Sequence, residues 1–176
     1  MLNTKKIRKT NMILTGGIFL LILVIGVFSY LNRNPEGIKE GQLIFKAGNT
    51  KLAVLTVDDL KEFPAIEKNM PVRTSRGNED HLYTMTPLLG VVEAIDPQLT
   101  KEYGKIVARG IDGYTSGVNM SEILEPDNVY LAYLDYGKPF SARNGEPGVA
   151  SLQIIICGDQ FGQRFVKFLV SIEFQK

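Results

Sequence analysis

Residues 12–31 read MILTGGIFLLILVIGVFSYL and contain no charged side chain. A helix rises about 1.5 Å per residue, so a run of this length covers about 30 Å, the hydrocarbon thickness of a bilayer. Gly16, Gly17 and Gly26 are compatible with such a helix, and Tyr30 stands where an interfacial aromatic would anchor its outer end. Lys5, Lys6, Arg8 and Lys9 precede the run, and Asn32-Arg33-Asn34-Pro35-Glu36 follows it. The positive-inside rule then puts the N-terminus in the cytoplasm and everything beyond residue 31 outside. The expected organisation is a basic cytoplasmic tail at 1–11, a single-pass transmembrane anchor at 12–31, a polar linker at 32–41 and a domain at 42–176. Membrane lipid is thus the first expected partner, and the cell membrane the expected location.

A cleaved signal peptide is the rival. It would have an apolar core of about 7–15 residues and an A-x-A-like end. Here the core is longer, and Val27-Phe28-Ser29-Tyr30-Leu31 offers no small-x-small pair. No cysteine follows, which excludes a bacterial lipoprotein. Both readings leave the domain extracytoplasmic, and the anchor fits better.

The charge balance narrows the partners. Without the four leading cations, the 20 basic residues fall to 16 against 19 acidic ones, a net −3 for the remainder. Nucleic acid binding needs a basic face, so a mildly acidic body argues against it. Cys157 is the one cysteine, so no intramolecular disulfide forms. Within Leu152-Gln153-Ile154-Ile155-Ile156-Cys157 it reads as a small apolar core residue.

The domain shows many short apolar runs divided by turn signals. Residues 42–47 and 51–55 flank Gly48-Asn49 as two strands. Thr56 can cap a helix over 57–63, with Asp58 and Asp59 in its first turn, and Pro64 ends it. Residues 72–75 and 82–85 flank Gly77-Asn78 as a hairpin. Thr86-Pro87 reads as a cap with proline at the first helical position, opening a helix that Asp96-Pro97 closes. Residues 105–111 and 114–118 flank Asp112-Gly113, a strong hairpin signal. A helical turn at 121–124, a strand at 129–134, a loop at 137–148 and a buried strand at 152–157 follow. The last segment, 163–174, alternates, with Val166, Phe168, Val170, Ile172 and Phe174 on one face. Short strands with a few short helices between them give an α+β domain with mixed sheets.

Catalytic chemistry is sparse. His81 is the only histidine, beside Asn78-Glu79-Asp80 near the expected hairpin tip, and reads as an exposed turn residue. No G-x-S-x-G elbow accompanies it. A catalytic metal site needs about three suitable ligands, and no such cluster stands in the sequence. Glu122, Glu125 and Asp127 read as a solvated helix end. The loop Gly158-Asp159-Gln160-Phe161-Gly162 joins two strands, where a phosphate cradle would open a helix. It reads as a tight connection, though glycine also permits close approach of a ligand.

One order of motifs is distinctive. Asp112-Gly113-Tyr114 is followed by SEILEPDNVYLAYLDYGKPF at 121–140, Asn144-Gly145-Glu146-Pro147, and LQIIICGDQFGQRFVKFLVSIEF at 152–174. This resembles the molybdopterin-binding domain of the sulfite oxidase family over roughly residues 42–175. That family has a D-G-Y hairpin, an LLAY-like strand, an H-G-x-P-L-R loop, a V-P-G strand end and a closing V-K-W-L strand. The resemblance implies a mixed-sheet sulfite oxidase-like fold, and a cleft in which a ligand would meet Lys167, Asn144, Gly158 and Tyr114. It also makes molybdopterin a possible cofactor, and a membrane redox or assembly protein a possible partner.

The departures point away from that chemistry. The family's metal-ligating cysteine would lie before the helix at residue 87, where this chain has Val72-Arg73-Thr74-Ser75-Arg76-Gly77-Asn78. Cys157 falls at the proline of V-P-G. Asn144 stands for the loop histidine, Gln153 for the loop arginine and Phe168 for the tryptophan, leaving Lys167 as the one cationic motif position. The expectation is a non-catalytic ligand- or partner-binding module without a cofactor. The alternative is a molybdopterin-dependent oxidoreductase or its cofactor-carrying subunit.

Overall fold

The computed structural model describes residues 3–31, 39–74, 77–159 and 161–176, with only the backbone described for 3–13, 31 and 74. The chain forms two units, Met1–Gly37 and Ile38–Lys176.

The first unit is the helix α1 (Asn3–Leu31). Its described side chains lie between Leu14 and Tyr30. Ile18, Phe19, Leu20, Leu21, Ile22 and Leu23 are all exposed, so successive positions around the whole helix are apolar. Among the described residues, no helix is long and apolar enough to cross a membrane. The side chains of Met12, Ile13 and Leu31, which complete the uncharged run, fall outside the described set, as do the tail side chains at 1–11 and most of the expected linker.

The second unit opens with the hairpin β1 (Gln42–Ala47) and β2 (Thr50–Thr56). Thr56 then caps α2 (Val57–Leu60) in a reciprocal box: its hydroxyl accepts from Asp59 N while Asp59 Oδ2 accepts from Thr56 N at 2.7 Å. The helix is one turn long, shorter than the expected 57–63.

Next come β3 (Ile66–Thr74), β4 (Gly77–Pro87) and α3 (Leu88–Ile95). Thr74 pairs with Gly77, so Gly77 and Asn78 belong to the strand rather than to a turn, and it runs on through Glu79, Asp80 and His81. Pro87 is itself the N-cap of α3, and the Thr86 hydroxyl instead donates to Leu60 O at 3.3 Å. A buried hydroxyl takes whichever acceptor packing supplies, which overrode the local cap signal.

The chain continues through α4 (Leu99–Glu102), β5 (Lys105–Gly110), β6 (Thr115–Asn119) and α5 (Met120–Leu124). Gly113 turns the β5–β6 hairpin at φ +85°. Then follow β7 (Val129–Asp135), β8 (Lys138–Ser141), β9 (Ala150–Ser151), β10 (Gln153–Ile156) and β11 (Leu169–Gln175). The region expected as loop at 137–148 thus holds a strand. The expected strand at 163–174 forms only from Leu169, because Phe168 takes φ +53° and breaks the alternation.

Two sheets result. One has the order β2-β1-β11-β5-β6, with β1 and β11 parallel and the other pairs antiparallel. The other has the order β3-β4-β7-β8-β9, with β10 also paired to β7. Leu169 N donates to Leu152 O at 2.8 Å, tying the start of β11 to the second sheet. One core fills the unit, with Phe45, Met85, Leu131, Ile155 and Ile172 each fully buried. This is the mixed-sheet α+β domain expected from the sequence.

Candidate ligand-binding cleft

Side chains alternate across a strand, so Glu79, His81 and Tyr83 of β4 share one face. Their burial deepens in that order, from exposed to half-buried to buried. They form one wall of a cleft of about 710 Å³. Arg73 of β3 stands at the rim, Gln153 of β10 lines the interior, and Asp112 and Tyr114 come from the β5–β6 turn. The segment before β11 supplies Phe161, Phe165, Lys167 and Phe168.

The wall is held by polar contacts. His81 Nδ1 lies 2.7 Å from Asp135 Oδ2, and the imidazole stacks on Tyr83 with centroids 5.0 Å apart. Asp135 reaches His81 because β7 pairs it with Tyr83, making His81 its diagonal neighbour. Asp135 Oδ1 also accepts from Leu82 N at 3.2 Å. Burial, helped by the charges of Asp135 and Glu79, pushes the Tyr83 phenol well above its ordinary range and keeps it protonated.

The opposite wall depends on a glycine. A Cβ at Gly110 would stand 2.5 Å from Asp112 Oδ1 and 2.6 Å from Lys167 O. Only glycine lets β5 end this close to the chain at Lys167. Ile111 N donates to Phe168 O at 2.9 Å, holding Phe168 in its left-handed conformation. Lys167 is exposed at the cleft and has no carboxylate partner among the described residues. The Arg73 guanidinium lies 5.9 Å from the Phe161 ring centroid, likewise with no carboxylate partner among the described residues.

Of the four residues singled out from sequence, the cleft takes two, Lys167 and Tyr114. Tyr114 also braces it: its hydroxyl donates to Gln163 O and its N–H to Asp112 Oδ1. Gly158 lines a smaller neighbouring cavity, and its N–H is taken by Asn128 Oδ1 at 3.1 Å. Asn144 is exposed on the β8–β9 connection and lines neither cavity.

His81 is the main correction. It is a half-buried strand residue with a carboxylate partner, not an exposed turn residue. Its signal lay in the alternation of Glu79, His81 and Tyr83, hidden by an assumed turn at Gly77-Asn78. Asp135 carried no local signal, since only cross-strand register brings it there.

Two other readings change. Glu122 is no free helix-end acid: Arg164 forks onto it at 2.8 and 3.1 Å and onto Asp159 at 2.6 and 2.8 Å. These hydrogen bonds push the guanidinium pKa up and hold the Glu122 carboxyl below its usual range. Cys157 is half-buried at the core margin rather than within it. Its Sγ lies 3.5 Å from Lys68 Nζ and 3.8 Å from Met70 Sδ, in a separate cavity, and burial raises its thiol pKa although Lys68 opposes the shift.

No protein-family model and no curated protein matches the chain. Among solved structures it is similar to the sulfane dehydrogenase SoxCD from Paracoccus pantotrophus, with a TM-score of 0.57 and 17% identity. The match covers 78% of this chain and 39% of that one. At this identity the likeness is one of fold, and it supports a distant sulfite oxidase-like fold.

The molybdenum centre implied by the sequence resemblance requires a protein thiolate. No thiol lines the cleft, and its histidine is engaged by Asp135. Among the described residues no group of three or more histidine, cysteine or acidic side chains could hold a metal ion. These residues do not fit a thiolate-ligated molybdenum.

Proposed function

We propose that this chain is a membrane-anchored, extracytoplasmic binding module that uses a sulfite oxidase-like cleft to hold a small ligand without redox catalysis. The observation that carries this reading is the lining of the cleft, which has recognition groups and no thiol. Lys167 and Arg73 supply charge, Gln153 supplies an amide and the aromatic side chains supply apolar surface. A volume of about 710 Å³ is ample for one small molecule.

The anchor is supported by the uncharged run at 12–31, the basic cluster before it and the all-round apolar surface of α1. Burying such a surface in lipid removes it from water without needing a protein partner.

Native mass spectrometry of the full chain, released from its own membranes in detergent, tests the reading. The expected spectrum shows a single chain carrying a small organic molecule that dissociates on mild activation. Loss of the ligand from the Lys167→Met protein would place it in this cleft. A chain recovered in the soluble fraction, or a retained metal–pterin mass, would contradict the proposal.

A further inference from the structure

The cleft holds an amide that the fold does not use. Gln153 lies in β10, paired through its backbone to Ala132 of β7, and is only 4% exposed. Its side-chain amide has no hydrogen-bond partner among the described residues, and unlike the unpartnered Thr84 Oγ1 and Ser116 Oγ it is not sealed from solvent. The amide therefore faces the cleft it lines. A largely buried carboxamide without protein partners is costly to keep, so such a group in a ligand-sized cleft is a recognition element waiting for its complement.

An amide presents a donor and an acceptor side by side. Its complement is a neutral polar edge, such as a ring nitrogen, ring N–H or ring carbonyl, rather than a bare anion. Charge enters at other points, through Lys167 and Arg73. Two acids line the cleft, and both have partners: Asp112 Oδ1 accepts from Tyr114 N at 3.0 Å, and Glu79 Oε2 lies 3.9 Å from His81 Nε2. The rings of Phe165, Phe168 and Tyr114 line the same cleft and suit a flat partner. An inorganic oxyanion would leave the rings and the amide unused.

From this we infer that the cleft selects a flat, ring-containing organic anion, with its polar ring edge on Gln153 and its acidic group toward Lys167 and Arg73. The inference rests on the binding-module reading and adds the class of ligand.

Equilibrium dialysis of the full chain in lipid nanodiscs tests it, with empty discs as the control. The probes are nicotinate and benzoate, their neutral counterparts nicotinamide and benzamide, and inorganic sulfate. Each acid should bind at least tenfold more tightly than its amide, and a tenfold excess of sulfate should not displace it. Lys167→Met should weaken both acids about tenfold and leave the amides unchanged. Gln153→Met should weaken nicotinate, which has a ring acceptor, several-fold more than benzoate, which has none. Equal binding of acids and amides, displacement by sulfate, or no retention of any ring probe would each overturn the inference. The underlying reading fails by a different sign, a molybdenum–pterin centre bound to protein from native membranes.

Discussion

His81 Nδ1 and Asp135 Oδ2 stand 2.7 Å apart, joining β4 to β7 beside the cleft. The carboxylate fixes which imidazole nitrogen carries the proton and leaves Nε2 toward Glu79, 3.9 Å away. Asp135→Asn keeps the shape and removes the charge. A partly buried, charge-assisted hydrogen bond of this kind contributes about 1–2 kcal/mol. The variant should lose about that much in denaturant unfolding, and its imidazole nitrogen chemical shifts should report mixed tautomers. Unchanged stability and unchanged shifts would show that the contact is incidental.

Arg164 sets an acid limit on stability. Glu122 has its folded pKa below the ordinary value of 4.5, chiefly through the Arg164 hydrogen bond. Its contribution is therefore full above the unfolded pKa and is lost as pH falls through the folded one. Arg164 is partly solvated, so Arg164→Met should cost only about 1 kcal/mol near neutral pH. The difference between the two proteins should shrink as pH falls below about 4.5. Unfolding midpoints from pH 7 down to pH 3 would show the two curves converging.

Gly110→Ala should be among the most damaging small substitutions. The new methyl would meet the Lys167 carbonyl at 2.6 Å, and backbone cannot swing aside as a flexible side chain can. Overpacking of this kind costs about 1–3 kcal/mol. Relief of the clash would displace Lys167, so retention of nicotinate should fall together with the melting temperature.

Thr84→Val should be neutral or slightly stabilising. Thr84 Oγ1 is buried without a partner among the described residues, and valine has nearly the same shape without the hydroxyl. Calorimetry should give a melting temperature equal to or above that of the parent. A marked drop would point to a hydrogen bond the hydroxyl makes in solution.

Much of the fold was legible where the signal is local. Thr56 with Asp58 and Asp59, Asp112-Gly113, and Asp96-Pro97 each act through neighbours within a few residues, and the elements they bound formed, with α2 shorter than expected. The misreadings arose where tertiary contacts decide. Thr86 met Leu60 O instead of capping α3. Phe168 adopted a left-handed backbone, held by Ile111, which no alternation pattern reveals. The cleft was half visible: Lys167 and Tyr114 sit in motifs that a family resemblance marks. Arg73 and Asp135 depend on strand register, and the isolation of the Gln153 amide appears only once the strands around it are in place.

Molybdenum and pterin content, measured on the full chain purified from the membranes of its native host, tests the central claim most directly. Elemental mass spectrometry should find far less than one molybdenum atom per chain, and oxidative extraction should release no fluorescent pterin. One molybdenum and one pterin per chain would contradict a metal-free binding module and restore the cleft to redox chemistry.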